Sequence, residues 1–252
     1  RQGLTVVALG VQGWVDGSLA SQVDRYEEVA VGQLGHFIDC LKSHGVRQAI
    51  MAGKVTKEVL LDRHTVFDAE ALSLLREVRE MSVPSLLGAI GARLAREGIA
   101  LLDSSTFLKS NLCPVGVLTA RHPTATEEDE IQVGLQAARA ITALDIGQTI
   151  VVKAGVVVAV EALEGTDATI RRAQALAGQG LVVVKMDGLN NDRRFDLPVI
   201  GTDTISTLRQ TGASCLAMEA GTTLLLDRPA LMAAANAANL CLVGVSLDDP
   251  AP

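Results

Sequence analysis

Residues 181–184, LVVV, form an uninterrupted apolar run. A run without polar alternation is the pattern of a strand buried on both faces, as in α/β sheets covered by helices. It empties into KMDGLNNDRRFDLPVIGTDT, residues 185–204, and crevices at the carboxyl ends of such strands are where α/β proteins bind ligands. Asp187, Asp192, Asp196 and Asp203 interleave there with Lys185, Arg193 and Arg194. That mixture can hold a divalent cation and a phosphate side by side. The same residue types also make an ordinary solvated loop with helix caps, because Asp, Asn and Gly are turn formers.

Ahead of this stretch the chain alternates strands and helices. Strands are expected over 4–9, 28–31, 48–51 and 99–102, and helices over 33–44, 69–80 and 85–96. The first helix carries Leu34, Phe37, Ile38 and Leu41 at three- and four-residue spacing, with Gly45 as its stop. This is the βαβ texture of a Rossmann-like parallel sheet. Such a unit has an earlier strand and a Gly-rich turn before residue 4, so the chain is expected to begin within that domain. Lys54 stands beside Gly53 just past a strand end, where backbone approaches an anion closely and an ammonium reaches a phosphate oxygen; the alternative is a solvated surface lysine. Pro114 and Gly116 then break the periodicity, so residues 108–117 are expected to link an N-terminal domain, 1–107, to a C-terminal catalytic α/β domain, 118–252.

In the second half, Thr126 is expected to cap a helix with acids in its first turn. Residues 149–152 and 156–160 read as a β-hairpin, Asp227 as the cap of the last large helix, and 240–245 as a final strand. Thr166 or Asp167 opens another helix as its cap. Capping does not account for Glu161 and Glu164, two acids at a strand end beside a helix N-terminus whose N–H groups favour anions. They are placed to join a site shared with the loop after residue 184.

Composition narrows the function. A net charge of −7, with no long basic run to offset it, argues against nucleic acid as a partner. Cys40, Cys113, Cys215 and Cys241 are scattered through apolar segments and read as reduced core cysteines, not as a zinc site. His36, His44, His64 and His122 show no ligand spacing and read as caps or surface residues. No apolar run approaches the roughly 20 residues of a membrane-spanning helix, so the protein is expected not to span a bilayer. Aromatic residues make up only 2% of the chain, so a large apolar ligand would meet aliphatic walls, which suit acyl chains.

VEALEGTD at 160–167, DRRFDLPVIG at 192–201 and AMEAGTTLLLD at 217–227 resemble the UDP-2,3-diacylglucosamine pyrophosphatase family of the LpxI type. ALDIGQ at 143–148, SSTFL at 104–108 and MAGKV at 51–55 are similar too, and in the same order, so the resemblance covers essentially the whole chain. It implies a cytoplasmic enzyme of lipid A biosynthesis in Gram-negative bacteria, peripheral at the inner membrane. The N-terminal domain would be Rossmann-like, and the lipid would be enclosed between it and the C-terminal domain. The implied reaction is Mg²⁺-dependent hydrolysis of UDP-2,3-diacylglucosamine to UMP and 2,3-diacylglucosamine 1-phosphate (lipid X), by water attack on the β-phosphorus. The resemblance also implies a strand and a Gly-rich stretch upstream of residue 1.

A pyrophosphate repels an incoming nucleophile, so such a site needs a cation clamp and a carboxylate that orients or deprotonates water. Asp196 and Asp192 are the expected catalytic pair, and which is ligand and which is base stays open. Lys54, Arg194, Thr166 and Lys185 are expected to bind substrate, and Asp196, Asp192, Glu164 and Asp167 to hold Mg²⁺. A homodimer is left open. Two rival readings remain: a nicotinamide-dependent oxidoreductase, although no GxGxxG follows any strand, and a non-catalytic lipid or nucleotide-sugar binding protein.

Overall fold

The computed structural model describes residues 3–53, 65–78, 83–144, 146–188, 192–195 and 197–246. The chain divides into two compact units, Arg1–Asp103 and Ser104–Pro252.

The first unit contains strands β1 (Val7–Val11) and β2 (Arg25–Val29), helix α1 (Leu34–Ser43), strand β3 (Gln48–Ala49), helices α2 (Ala69–Glu77) and α3 (Val83–Arg96), and strand β4 (Ala100–Leu101). β1 pairs with β2 and β3 with β4, both parallel, as the βαβ texture requires. Ile38 and Leu41 of α1 pack with Leu94 of α3 and Ile99. One carboxylate organises two helix starts: Asp68 accepts the Ala71 N–H as the cap of α2 and the Gly35 N–H in the first turn of α1, at 2.8 and 2.7 Å. Both are donors that a helix leaves without an internal partner.

The second unit contains β5 (Gly116–Val117), α4 (Ala125–Ala143), β6 (Thr149–Lys153), β7 (Val156–Val160), α5 (Thr166–Ala177), β8 (Val182–Lys185), β9 (Val199–Ile200), α6 (Thr202–Thr211), β10 (Cys215–Glu219), β11 (Leu224–Leu225), α7 (Arg228–Ala237) and β12 (Cys241–Val245). Six strands form one mixed sheet in the order β5-β12-β10-β8-β6-β7. β8, β10 and β12 are parallel, and β6 runs against both β8 and β7. The 181–184 run is therefore a central strand. Alternation across the pleat sends Val183, Leu216 and Leu242 into one core with Ile170, Leu208 and Leu231 of α5, α6 and α7. Val182, Val184 and Ala217 enter another core with Ile131, Leu135 and Ala138 of α4. Each large side chain buried this way contributes about 1.5–3 kcal/mol.

The β6–β7 hairpin forms as expected, turning on Ala154 and Gly155, both at positive φ. Residues 108–117, expected as a linker, carry a 3-10 turn at Lys109–Asn111 and strand β5, which pairs with β12. All four cysteines are buried and free. The cap of α4 is Thr124, two residues before the expected Thr126. Thr124 and Glu127 form a reciprocal capping box, and Glu127 also pairs with Arg121 at 2.6 Å, so the helix starts where that carboxylate has both partners.

Candidate active site at the strand ends of the second unit

Because β8, β10, β12 and β7 point the same way, their carboxyl ends and the start of β6 share one edge of the sheet. Lys185 closes β8 at this edge and is 6% exposed. Its Nζ donates to Thr166 Oγ1 at 2.7 Å, and that hydroxyl donates to Glu161 Oε1 at 3.1 Å. Thr149, paired with Lys185 across the strands, places its own hydroxyl 3.3 Å from Thr166. A buried ammonium and the buried Glu161 carboxylate thus meet through one hydroxyl, which satisfies charges that would be costly to leave alone.

The network corrects the expected helix start. The cap of α5 is Gly165, at φ +82°, and neither Thr166 nor Asp167 caps it. Thr166 is the first helical residue, so its side chain faces Lys185 and not the helix's own N–H groups. Gly147 sets the height of the same turn: a Cβ there would overlap the Glu161 carbonyl oxygen.

The four acids expected to hold metal fare differently. Asp167 keeps one carboxylate oxygen, Oδ1, buried with no hydrogen-bond partner. Glu164 accepts the Ala162 N–H at 3.0 Å and Arg172 at 2.6 Å, and local backbone together with this arginine lowers its pKa. Asp192 is gripped by Arg194 through Nε to Oδ1 at 2.8 Å and Nη2 to Oδ2 at 2.5 Å, which lowers the acid's pKa and raises the arginine's. Asp196 lies outside the described residues, as does Lys54. Among the described residues no three His, Cys, Asp or Glu side chains gather into one ligand cluster.

Two further acids stand beside them: Asp187, expected in the candidate loop but not among the named ligands, and Glu219, which was not expected in the site. Asp187 is buried, its N–H donates to Glu219 Oε2 at 2.9 Å, and its carboxylate meets Arg193 at 3.5 Å. Burial pushes the Glu219 carboxyl up; the Asp187 N–H bond opposes this, as do Arg193 and Arg139, while the Asp187 charge adds to it. Glu219 ends β10 next to β8. Its only sequence signal is the turn MEAGTT at 218–223, which resembles the one after β7.

The edge therefore offers a buried lysine beside a helix N-terminus, two arginines and an acid-rich loop, a set suited to phosphate oxygens and to orienting water. Comparison with known proteins gives this arrangement a family. Models described as the LpxI N-terminal domain and the LpxI C-terminal domain match residues 1–111 and 114–243. The chain is 31% identical over 257 aligned positions to the UDP-2,3-diacylglucosamine pyrophosphatase LpxI of Caulobacter vibrioides, covering 96% of this chain and 89% of the relative. The chain belongs to the LpxI family.

Proposed function

We propose that this LpxI-family chain is a hydrolase that cleaves the pyrophosphate of UDP-2,3-diacylglucosamine, giving UMP and 2,3-diacylglucosamine 1-phosphate by water attack on the β-phosphorus. The observation that carries this reading is the meeting of Lys185 and Thr166 at the start of α5, on the strand-end edge that also bears the loop with Asp192 and Arg194. The free N–H groups of α5 and the Lys185 ammonium favour phosphate oxygens at that point. Arg194 neutralises further oxygens. Asp196, with Asp192, orients or deprotonates the attacking water.

Mg²⁺ belongs to this reading because Asp167 presents a buried, unpartnered carboxylate oxygen, and this cation needs only one or two protein carboxylates when phosphates complete its shell. Asp167 and Asp196 would hold it, with Asp192 and Glu164 contributing if their arginines turn to substrate. Bound there, it would supply charge neutralisation at the phosphate oxygens.

The substrate's acyl chains bring the enzyme to the inner-membrane surface, in the cytoplasm, as part of lipid A biosynthesis. Leu144, Ile146 and Leu163, all exposed and close in sequence to the Gly147–Glu161 contact, are suited to such peripheral association. No described helix is long and apolar enough to cross a membrane.

The test is product analysis with UDP-2,3-diacylglucosamine and Mg²⁺. The expected result is equimolar UMP and diacylglucosamine 1-phosphate, abolished by EDTA and restored by added Mg²⁺. Tight binding without UMP release would identify a binding protein instead, and full turnover in excess EDTA would remove the cation.

A further inference from the structure

The SSTFL motif at 104–108 has no part in the chemistry above, yet its first residue is bonded to the candidate loop. The Ser104 N–H donates to the Arg193 carbonyl at 2.9 Å. The Ser104 hydroxyl donates to the Arg194 carbonyl at 3.1 Å. One residue thus holds two consecutive carbonyls, which fixes the peptide planes after Arg193 and after Arg194 and so the directions in which this loop projects its side chains.

Within the loop the remaining described bonds are local. Asp192 accepts the Arg194 N–H and guanidinium, and the Phe195 N–H closes the turn on the Asp192 carbonyl at 2.8 Å. These bonds shape the turn but leave its position to contacts from elsewhere, of which Asp187 with Arg193 is one and Ser104 another. The two differ in kind. The Asp187 contact at 3.5 Å ends on a half-exposed guanidinium, whereas Ser104 grips the main chain.

We infer that Ser104 is a positioning residue for the pyrophosphatase reaction: by holding the Arg193 and Arg194 carbonyls it sets where the catalytic loop presents Asp192 and Arg194 to the phosphates. The inference rests on the proposed function, since it is the use of that loop in hydrolysis that gives the clamp a consequence. Small misplacements of reacting groups are costly, on the order of a hundredfold in rate for about 1 Å. Loss of one of two clamping bonds, with the N–H bond retained, is expected to lower kcat by about tenfold and to leave KM nearly unchanged.

The test compares full-length wild type, Ser104→Ala and Ser104→Thr by steady-state hydrolysis of UDP-2,3-diacylglucosamine, thermal melting, and hydrogen–deuterium exchange of the peptide covering 187–195. Faster exchange in that peptide and a tenfold lower kcat are expected for Ser104→Ala, at unchanged Tm. The threonine hydroxyl should restore both readouts. Unchanged exchange in Ser104→Ala would overturn the clamp. Faster exchange with wild-type kcat would overturn its role in the reaction, as would a loss that tracks the fall in Tm or that threonine fails to restore. Absence of UMP release by the wild type would overturn the proposed function itself, and the exchange comparison would still decide the clamp.

Discussion

The two units of this chain use the same βαβ vocabulary to different extents. In the second, six strands share one sheet and both faces are sealed, so that the three valines of β8 and the first four residues of β10 have no exposed surface. In the first, the described strands form two separate parallel pairs, and the buried cluster is Ile38, Leu41, Leu94 and Ile99 with partly buried neighbours. Large continuous burial supports charged groups at its rim: Lys185, at the end of β8, and Glu161, just after β7, are nearly dry. A continuous core of this kind holds the groups of an acid–base site in place, and among the described residues it is larger in the second unit than in the first.

The largest expected effect sharpens this contrast. Leu216→Ala, in the middle of β10, should cost about 3–5 kcal/mol, and Leu94→Ala about 2–3 kcal/mol because a smaller cluster collapses more readily around the lost side chain. The chain's one tryptophan, Trp14, lies in the first unit. Urea unfolding followed by its fluorescence should precede the main loss of far-UV circular dichroism, and Leu216→Ala should move the later transition more. Coincident transitions that shift together would break the comparison.

Next is Asp196→Ala, expected to reduce turnover about a hundredfold, the scale for losing a positioned acid or base. Its melting temperature should match wild type, and a variant of near-normal rate would take this residue out of the site. Smaller still is Thr124→Ala, which opens the capping box of α4 and should cost about 1 kcal/mol. The loss should appear in the later, second-unit transition alone.

The smallest effect concerns Glu219, whose carboxyl is raised chiefly by burial. A raised acid binds its proton more tightly in the fold. Its contribution to stability is therefore complete below the ordinary glutamate range and is lost as pH rises through the raised value. Glu219→Gln retains an oxygen for the Asp187 N–H and should flatten the pH dependence of second-unit stability over that window. A slope identical to wild type would show that Glu219 titrates normally.

How much of this was legible in the sequence depended on how far apart the partners lie. The buried strand at 181–184, the hairpin turn at Ala154 and Gly155 and the Asp227 cap, which accepts the Ala230 N–H at 3.3 Å, are local patterns and could be read directly. Thr166 was visible, but a threonine at a helix start looks the same whether it caps that helix or receives a lysine from a strand 19 residues on. Glu219 becomes a partner of Asp187 only when β8 and β10 pair, and Ser104 meets Arg194 across 90 residues. Long-range register, which no local periodicity encodes, is what assembles this edge.

If this edge directs water to the β-phosphorus of a UDP-linked lipid, the oxygen of that water ends in the lipid product and not in UMP. Turnover of UDP-2,3-diacylglucosamine in ¹⁸O-labelled water with Mg²⁺, read by mass spectrometry of both products, tests it most directly. The predicted result is one ¹⁸O atom in the phosphate of 2,3-diacylglucosamine 1-phosphate and none in UMP. Label in UMP, or the absence of both products, would contradict it.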